Sequence, residues 1–291
     1  MLPGWVGGAK FACMDIAHTL AELRAGCAGL RDARGSLSLV PTMGALHDGH
    51  MALVRAAVAS GGAVVASIFV NPLQFGSGED LSRYPRDEAG DLALLEATGC
   101  DLVWMPDVAT MYPPGDATVV EVGGPAQHWE GDSRPSHFRG VATVCARLFG
   151  QVRPDRAYFG EKDWQQLQVV RRMVADLWLP LEVVGVPTVR DPDGLALSSR
   201  NRFLSAAEHA VAPRLFRVLS TVAGVLAQGG PAGEPLAAAQ RDLTHDGFEV
   251  DYVALVDGPA LAPLPAARSG ARLIAAARLG SVRLLDNMGV G

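Results

Sequence analysis

Two histidines stand three residues apart in the segment PTMGALHDGH, which spans residues 41–50. On the first turn of a helix, His47 and His50 would face the same side. The segment follows a strand-like run and opens a helix-like one, and a helix start offers free N–H groups and a positive dipole end to a phosphate. Gly44 and Gly49 would let a ligand approach the backbone closely. The pattern therefore predicts a phosphate-binding loop.

This loop is neither of the commonest phosphate loops, because no Lys-Ser or Lys-Thr pair follows Gly49 and the GxGxxG spacing is missing. Two other interpretations stay open from the residues alone. One is a capped helix start with two ordinary surface histidines. The other is a zinc site, for which the sequence positions no acidic or Cys ligand nearby. The HxGH ending resembles the signature of the nucleotidyltransferase superfamily, in which the imidazoles contact phosphate oxygens.

Uncharged amides follow the next apolar run, AVVASIFV, at residues 63–70. Asn71 and Gln74 would lie at the carboxyl end of a buried strand, where open sheets bind ligands. Asn71 before a proline indicates a turn when taken alone. An amide between Leu73 and Phe75 suits a pocket that orients hydroxyls or a carboxylate.

The rarest side chain type marks a third segment, FGEKDWQQLQ (159–168). The chain has 25 Lys and Arg residues, of which only Lys10 and Lys162 are Lys. A solvated helix start is the simple interpretation of Lys162 beside Asp163, but a Lys in the first turn opposes the helix dipole. An anion at that spot would explain the misfit, and Gln166, four residues on, would share the helix face.

Two further segments carry donors. DGLALSSRN (193–201) offers Ser198, Ser199 and Arg200, either as contacts for polyphosphate oxygens or as an interdomain linker with a Ser N-cap. GDSRPSHFRGVATV (131–144) places basic residues before a helix, either as surface charge or as guides for anions. These basic residues are Arg134, His137 and Arg139.

The elements that would position these residues alternate between strand and helix through the first two-thirds of the chain. This alternation predicts a doubly wound, Rossmann-like parallel sheet. Helices are predicted over 15–33, 49–60, 87–98, 138–150 and 162–177, and strands over 36–40, 63–70, 101–105, 156–160 and 181–189. A smaller α+β unit is predicted from a helix over 205–228 and strands over 248–256, 271–279 and 281–288. We therefore expect domains at 1–187 and 188–291.

Composition excludes several classes of protein. With 49% hydrophobic residues among 291, the chain can bury a sizeable core, and a net charge of −6 argues against a general nucleic-acid binder. No run reaches the ~18 apolar residues of a membrane span. Cys13, Cys27, Cys100 and Cys145 are scattered, which indicates buried thiols in a reducing cytoplasm.

Taken together and in this order, PTMGALHDGH, SIFVNPLQF, DLSRYPR, SRPSHFRGV, FGEKDWQQL and DGLALSSRN resemble the pantoate–β-alanine ligase (pantothenate synthetase) family. The resemblance covers essentially the whole chain and is strongest over 39–205. It implies a cytoplasmic, homodimeric, ATP-dependent ligase that condenses pantoate with β-alanine. The reaction would pass through an enzyme-bound pantoyl adenylate, with release of pyrophosphate and then AMP. Mg²⁺ would accompany ATP, held mostly by phosphates and water.

The resemblance also assigns site residues. The implied catalytic residues are His50, His47, Lys162 and Arg200; the family treats His50 as the acid, and we interpret it with His47 as a phosphate-stabilising donor. The implied ATP contacts are Met43, Gly44, His47, His50, Gly160, Glu161, Lys162, Asp163, Val189, Leu197, Ser198, Ser199 and Arg200. The implied pantoate and β-alanine contacts are Gln74, Gln166, Pro41, Met43 and Arg134, and Asp91 is a candidate metal contact. The loop 76–85, with Gly76 and Gly78 as hinges, is predicted to close as a lid.

Departures from the family pattern are mild: Ser136 stands where Gly is frequent and Trp164 where Phe or Tyr is. Two other functions share part of the pattern. A different nucleotidyltransferase would keep the HxGH loop, but it would want basic residues for an acceptor phosphate in place of Gln74 and Gln166. A non-catalytic nucleotide-binding module would not need both histidines and Lys162.

Overall fold

Six strands from the first two-thirds of the chain form one parallel sheet in the computed structural model, which describes residues 14–76 and 80–291. The strands are β1 (Asp15–Ala17), β2 (Leu37–Thr42), β3 (Ala63–Ile68), β4 (Leu102–Trp104), β5 (Arg156–Gly160) and β6 (Glu182–Val186). Their order in space is β1-β4-β3-β2-β5-β6. After β2, the chain therefore adds strands on one side and later on the other. The carboxyl ends of β2 and β5 flank the reversal, which is where open α/β sheets bind ligands.

Helices cover both faces of this sheet. They are α1 (Leu20–Arg34), α2 (Asp48–Ala59), α3 (Glu88–Thr98), α4 (Val108–Met111), α5 (Glu130–Ser133), α6 (His137–Val152) and α7 (Trp164–Asp176). Side chains of α1, α6 and α7 form one core with the sheet, and those of α2 and α3 form another on the opposite face. β3 is buried almost throughout because both of its faces are covered. The predicted doubly wound sheet is confirmed.

A smaller unit follows β6. Its elements are α8 (Ala206–Val211), α9 (Arg214–Ala227), α10 (Gly233–His245), β7 (Glu249–Asp257), β8 (Ala271–Leu279) and β9 (Val282–Gly289). The three strands form an antiparallel sheet in the order β7-β8-β9. Its core joins Leu219 of α9, Leu243 of α10 and Leu273 of β8. The predicted α+β unit is thus confirmed, and the division into domains at 187/188 stays a prediction.

One stretch of the described residues, Ala206–Ala227, has the length and apolar composition of a membrane span. It is not a continuous helix, because Pro213 interrupts it and lacks the N–H that an inner helix position needs. Leu215, Leu219 and Leu226 of this stretch are buried in the core of the smaller unit. The stretch therefore consists of two helices, of which α9 packs in the core, and the single helix predicted over 205–228 is wrong.

Three other predictions of local structure are corrected. Residues 15–17 form a strand that pairs with β4, and the helix begins only after Thr19, which makes a capping box with Glu22. Helix α10 was not predicted from the sequence. Two glycines and a proline stand just before its Ala-rich sequence, and such residues indicate a break in structure. The helix predicted from residue 162 begins at Trp164, because a 3-10 turn, Glu161–Asp163, precedes it. Lys10, Cys13 and Gly78 lie outside the described residues, as do the other residues at 77–79 of the predicted lid.

Candidate active site

A cavity opens at the carboxyl ends of β2 and β5, and the smaller unit closes its far side. It brings together most of the residues singled out in the sequence. Those that line it are Pro41, Met43, His47, His50, Gln74, Arg134, Gly160, Lys162, Asp163, Gln166, Val189, Leu197, Ser198, Ser199 and Arg200. Gly44, Glu161 and Asp91 do not line it, and Arg139 is exposed.

The histidine pair begins helix α2. His47 is the N-cap residue, and its Nδ1 accepts a hydrogen bond from the Gly49 N–H at 3.1 Å. An accepting Nδ1 carries no proton, so the proton of the neutral ring lies on Nε2. A Cβ at residue 49 would lie 2.8 Å from the His47 ring, so glycine lets this ring fold over the helix start. The rings of His47 and His50 lie 4.2 Å apart between centroids.

Both imidazoles are neutral at neutral pH. Burial, and then the charge of Lys162, lowers the pKa of His47 to about 4. Burial, and then His47, lowers the pKa of His50 to about 3. Within the described part of the chain, His50 Nδ1 is buried without a hydrogen-bond partner. The pair thus offers ring N–H groups to an anion without adding positive charge to the unliganded cavity.

A buried carboxylate supports residues 43–47, the histidine loop, which joins β2 to α2. Asp91 of α3 accepts the backbone N–H of Ala45 at 2.8 Å and that of Leu46 at 2.7 Å, one on each oxygen. Gly44 has φ +79°, and a Cβ there would lie 2.9 Å from the Asp91 carboxylate. Both oxygens are engaged, so we assign Asp91 to the support of this loop. The metal contact suggested for Asp91 stays a prediction.

Gln74 is held in one orientation by its neighbours. Asn71 Nδ2 donates to Gln74 Oε1 at 3.1 Å and to the Gly140 carbonyl at 3.1 Å. The hydroxyl of Tyr112 donates to Asn71 Oδ1 at 2.7 Å, which fixes the Asn71 amide as a donor toward Gln74. The Gln74 Nε2 group then points to Met43 Sδ, 3.0 Å away. A thioether is a weak acceptor, so this N–H remains available to a polar ligand.

The backbone carbonyl of Gln74 joins two cavity residues of a later segment. His137 Nδ1 lies 3.0 Å from this oxygen and Arg134 Nη2 lies 3.2 Å from it. A carbonyl only accepts, so we assign the His137 proton to Nδ1. His137 Nε2 then accepts from Arg134 Nη1 at 3.2 Å. These contacts hold the Arg134 guanidinium at the cavity next to the Gln74 backbone, where it also lies 3.9 Å from the Glu130 carboxylate. A guanidinium suits a carboxylate ligand.

Lys162 lies in the 3-10 turn between β5 and α7, not on α7 as the sequence predicted. Its Nζ is 3.7 Å from the Asp163 carboxylate. Burial raises the pKa of Asp163, but the charges of Lys162 and then of Arg200 and Arg134 outweigh it and hold that pKa below its usual range. Asp163 is therefore an anion among several cations. Gln166 lines the cavity one turn into α7.

The segment 193–201, which carries Ser198 and Ser199, lies opposite this turn. The Leu197 N–H donates to the Val189 carbonyl at 3.0 Å, which folds residues 189–197 into a hairpin. Ser198 Oγ accepts from the Arg200 N–H, and Ser199 Oγ donates to the Ala45 carbonyl at 2.9 Å. The hydroxyl proton of Ser199 thus fastens the hairpin to the histidine loop.

Sequence reasoning missed the contribution of the smaller unit. Tyr252 of β7, with Arg283 and Asn287 of β9, lines the cavity. The Tyr252 hydroxyl donates to the buried Glu130 at 3.1 Å, and Arg283 forms an ion pair with the same carboxylate. The available signal was composition, since Asn287 is one of only three Asn residues in the chain.

The side chains that could bind a metal are not clustered in the part of the chain that the structure describes. The described residues contain no cluster of three or more His, Cys, Asp and Glu side chains that could hold a metal ion. The cavity instead gathers N–H donors and cations, which suit phosphate oxygens. The predicted zinc alternative has no support in this arrangement.

Comparisons with known proteins support the same family as the sequence motifs. The model of the family described as pantoate-beta-alanine ligase matches residues 15–289. The pantothenate synthetase of Granulibacter bethesdensis is 59% identical over 95% of this chain and 97% of its own. The crystal structure of pantothenate synthetase from Thermus thermophilus is 54% identical, with a TM-score of 0.89, over 95% of this chain and 99% of its own.

A more distant structure carries ligands. It is the pantoate-beta-alanine ligase from Francisella tularensis, complexed with beta-gamma ATP and beta-alanine. That protein is 30% identical to this chain, with a TM-score of 0.80, and the match covers 94% of this chain and 97% of its own.

Proposed function

The chain belongs to the pantoate–β-alanine ligase family, and we propose that it condenses pantoate with β-alanine in an ATP-dependent reaction. In the first step, a carboxylate oxygen of pantoate attacks the α-phosphorus of ATP. The bond to the β-phosphate breaks, pyrophosphate leaves, and pantoyl adenylate stays bound. In the second step, the amine of β-alanine attacks the acyl carbon, AMP leaves, and the amide of pantothenate forms.

One observation carries the proposal. Groups that can donate to phosphate oxygens, from three segments at His47 and His50, at Lys162, and at Ser198 and Arg200, line the same cavity as the amide of Gln74. Such a cavity can hold a polyphosphate beside a small hydroxy acid. The first step builds charge on phosphate oxygens, so it needs placed cations and N–H donors more than a protein nucleophile.

Each donor then has a stated role. Lys162 supplies a compact positive charge for the phosphates, and Arg200 supplies a guanidinium from the 3-10 segment Ser199–Phe203, which follows the hairpin. His47 donates through Nε2, and the buried His50 ring donates beside it. Neutral rings of this kind stabilise developing charge as hydrogen-bond donors. Met43, Gly160, Asp163, Val189 and Leu197 form the remaining nucleotide surface, while Gly44 and Glu161 support it from outside the cavity.

The acid-binding side lies across the cavity. We assign pantoate to Gln74 and Gln166, whose amides bind its hydroxyls and carboxylate, and the carboxylate of β-alanine to Arg134. Pro41 and Met43 supply the apolar floor. The Asn71 contact keeps the Gln74 amide oriented before a ligand arrives, which lowers the entropy cost of binding.

Magnesium enters as a complex with ATP. The described residues contain no cluster of three or more His, Cys, Asp and Glu side chains, and the ion would be held mostly by phosphates and water. It would neutralise phosphate charge, and no step of the proposal is routed through it.

The expected setting completes the proposal: domains at 1–187 and 188–291, a homodimer as the family resemblance implies, and a cytoplasmic location. The described cysteines, Cys27, Cys100 and Cys145, are free and buried, which suits a reducing compartment. Light scattering after size-exclusion chromatography measures the oligomeric state directly.

The complete reaction tests the function. With ATP, Mg²⁺, pantoate and β-alanine, the proposal predicts pantothenate, AMP and pyrophosphate in equal amounts. Formation of ADP and phosphate would contradict the adenylate route. Activity with a phosphorylated acceptor in place of pantoate would favour a different nucleotidyltransferase.

A further inference from the structure

The smaller unit forms hydrogen bonds with the backbone of the 3-10 turn Glu161–Asp163, the lysine turn. Asn287 of β9 donates through Nδ2 to the Glu161 carbonyl at 2.9 Å and to the Lys162 carbonyl at 2.8 Å. Both bonds come from one buried amide, which is 4% exposed. Asn287 is 125 residues from Lys162 in the chain, so this contact joins two parts of the molecule that share no local element.

The amide of Asn287 can point only one way. Its Oδ1 accepts from Arg272 Nε at 2.6 Å, and a guanidinium never accepts. The Nδ2 group must therefore face the two carbonyls. An Asp or Leu side chain at this position could not donate to them, although each is close to Asn in size.

Arg272 of β8 reinforces the same turn. Its Nη2 pairs with the Glu161 carboxylate at 3.2 Å, and its guanidinium lies 3.5 Å from the centroid of the Trp164 ring. Trp164 Nε1 in turn donates to the Gly258 carbonyl at 2.7 Å. The backbone and side chains on both sides of Lys162 are thus attached to the antiparallel sheet.

We propose that Asn287 is a positioning residue for Lys162, through which the smaller unit sets the place of the Lys162 ammonium in the cavity. The inference rests on the proposed function, in which Lys162 stabilises charge during adenylate formation. A turn released from this amide would let Nζ move, and a misplacement of ~1 Å at a reacting centre can cost ~10²-fold in rate.

A double-mutant cycle tests the proposal. Asn287→Asp and Asn287→Leu are made in the natural chain and in Lys162→Ala, and pantoate-dependent pyrophosphate release is measured. We expect a ~10- to 100-fold loss from either Asn287 substitution when Lys162 is present. In the Lys162→Ala chain, the same substitutions should change the rate by less than about twofold, because the group they position is gone. Asp246→Asn, which removes the Arg214 ion pair elsewhere in the smaller unit, is the control and should leave the rate unchanged.

Thermal unfolding of each variant separates positioning from folding. Equal losses in both backgrounds, or no loss in the natural chain, would overturn the proposal. Failure of both Asn287 variants to fold would overturn it as well, since the residue would then serve the fold. Absence of pyrophosphate release by the natural chain would contradict the proposed function instead.

Discussion

The rings of His47 and His50 lie 4.2 Å apart between centroids, with 44° between their planes. Two protonated imidazoles at this distance would repel each other, and burial adds to the cost of charging either one. Burial is the main cause of the lowered pKa of each ring; the charge of Lys162 adds to it at His47, and the neighbouring His47 adds to it at His50.

The pair makes stability depend on pH. The pKa of His50 is about 3 in the folded protein against an ordinary value of 6.5, so between these values the unfolded chain binds more protons. Stability should therefore rise with pH across this window, by at most about 1.4 kcal/mol per pH unit for each such histidine. Urea unfolding at pH 5 and pH 7 should show a smaller pH effect in His50→Asn than in the natural chain. The exposed His209→Asn is the control, and equal pH effects in the natural chain and His50→Asn would refute this explanation.

Lys162 should be needed for adenylate formation. Lys162→Ala should lower pantoate-dependent pyrophosphate release by ~10²-fold or more, because a charge-stabilising group is lost. Lys162→Arg keeps the charge but replaces a compact ammonium with a planar guanidinium. Its rate should therefore lie between that of the natural chain and that of Lys162→Ala. Single-turnover measurements report this step. A near-normal rate for Lys162→Ala would remove Lys162 from the mechanism.

Gln74 should govern the affinity for pantoate. Gln74→Ala removes an amide that Asn71 holds in place, so the KM for pantoate should rise by about tenfold or more while the KM for ATP stays the same. Steady-state kinetics with each substrate varied in turn measure both constants. Gln228→Ala, at the exposed end of α9, serves as the control. Equal changes in both KM values would argue against a pantoate contact.

Asp91 distinguishes loop support from metal binding. Asp91→Asn places an amide where a carboxylate accepts two backbone N–H groups, so the free energy of unfolding should fall by about 1–3 kcal/mol. The KM for ATP should rise because the histidine loop loosens. The Mg²⁺ concentration for half-maximal rate, measured at saturating ATP, should not change. A large shift in that concentration would instead support the predicted metal contact.

Much of the fold followed from local patterns. Alternating strand-like and helix-like segments were enough to predict the parallel sheet, and the ends of β2, β3 and β5 placed His50, Gln74 and Lys162 at one edge. Short or tertiary features had no such signal. Strand β1 has three residues and forms because β4 pairs with it. The lysine turn is a 3-10 turn before α7, although its composition is typical of a helix.

The supporting contacts of the site could not be predicted, because they join residues far apart in sequence. Asp91 supports a loop 45 and 46 residues earlier, and Asn287 reaches back 125 residues to Lys162. The sequence around Asp91 and around Asn287 does not indicate which residues these two side chains contact. Only the packing of α3 under the loop and of β9 behind the lysine turn creates these bonds.

If the chain activates pantoate as an adenylate before β-alanine takes part, the adenylate should form in the absence of β-alanine. Enzyme at a concentration near that of labelled ATP is mixed with Mg²⁺ and pantoate, without β-alanine, and pyrophosphate and bound nucleotide are followed. We expect about one pyrophosphate and one bound pantoyl adenylate per active site, and rapid release of AMP and pantothenate when β-alanine is added. Pyrophosphate that forms only after β-alanine is added, or without pantoate, would contradict it.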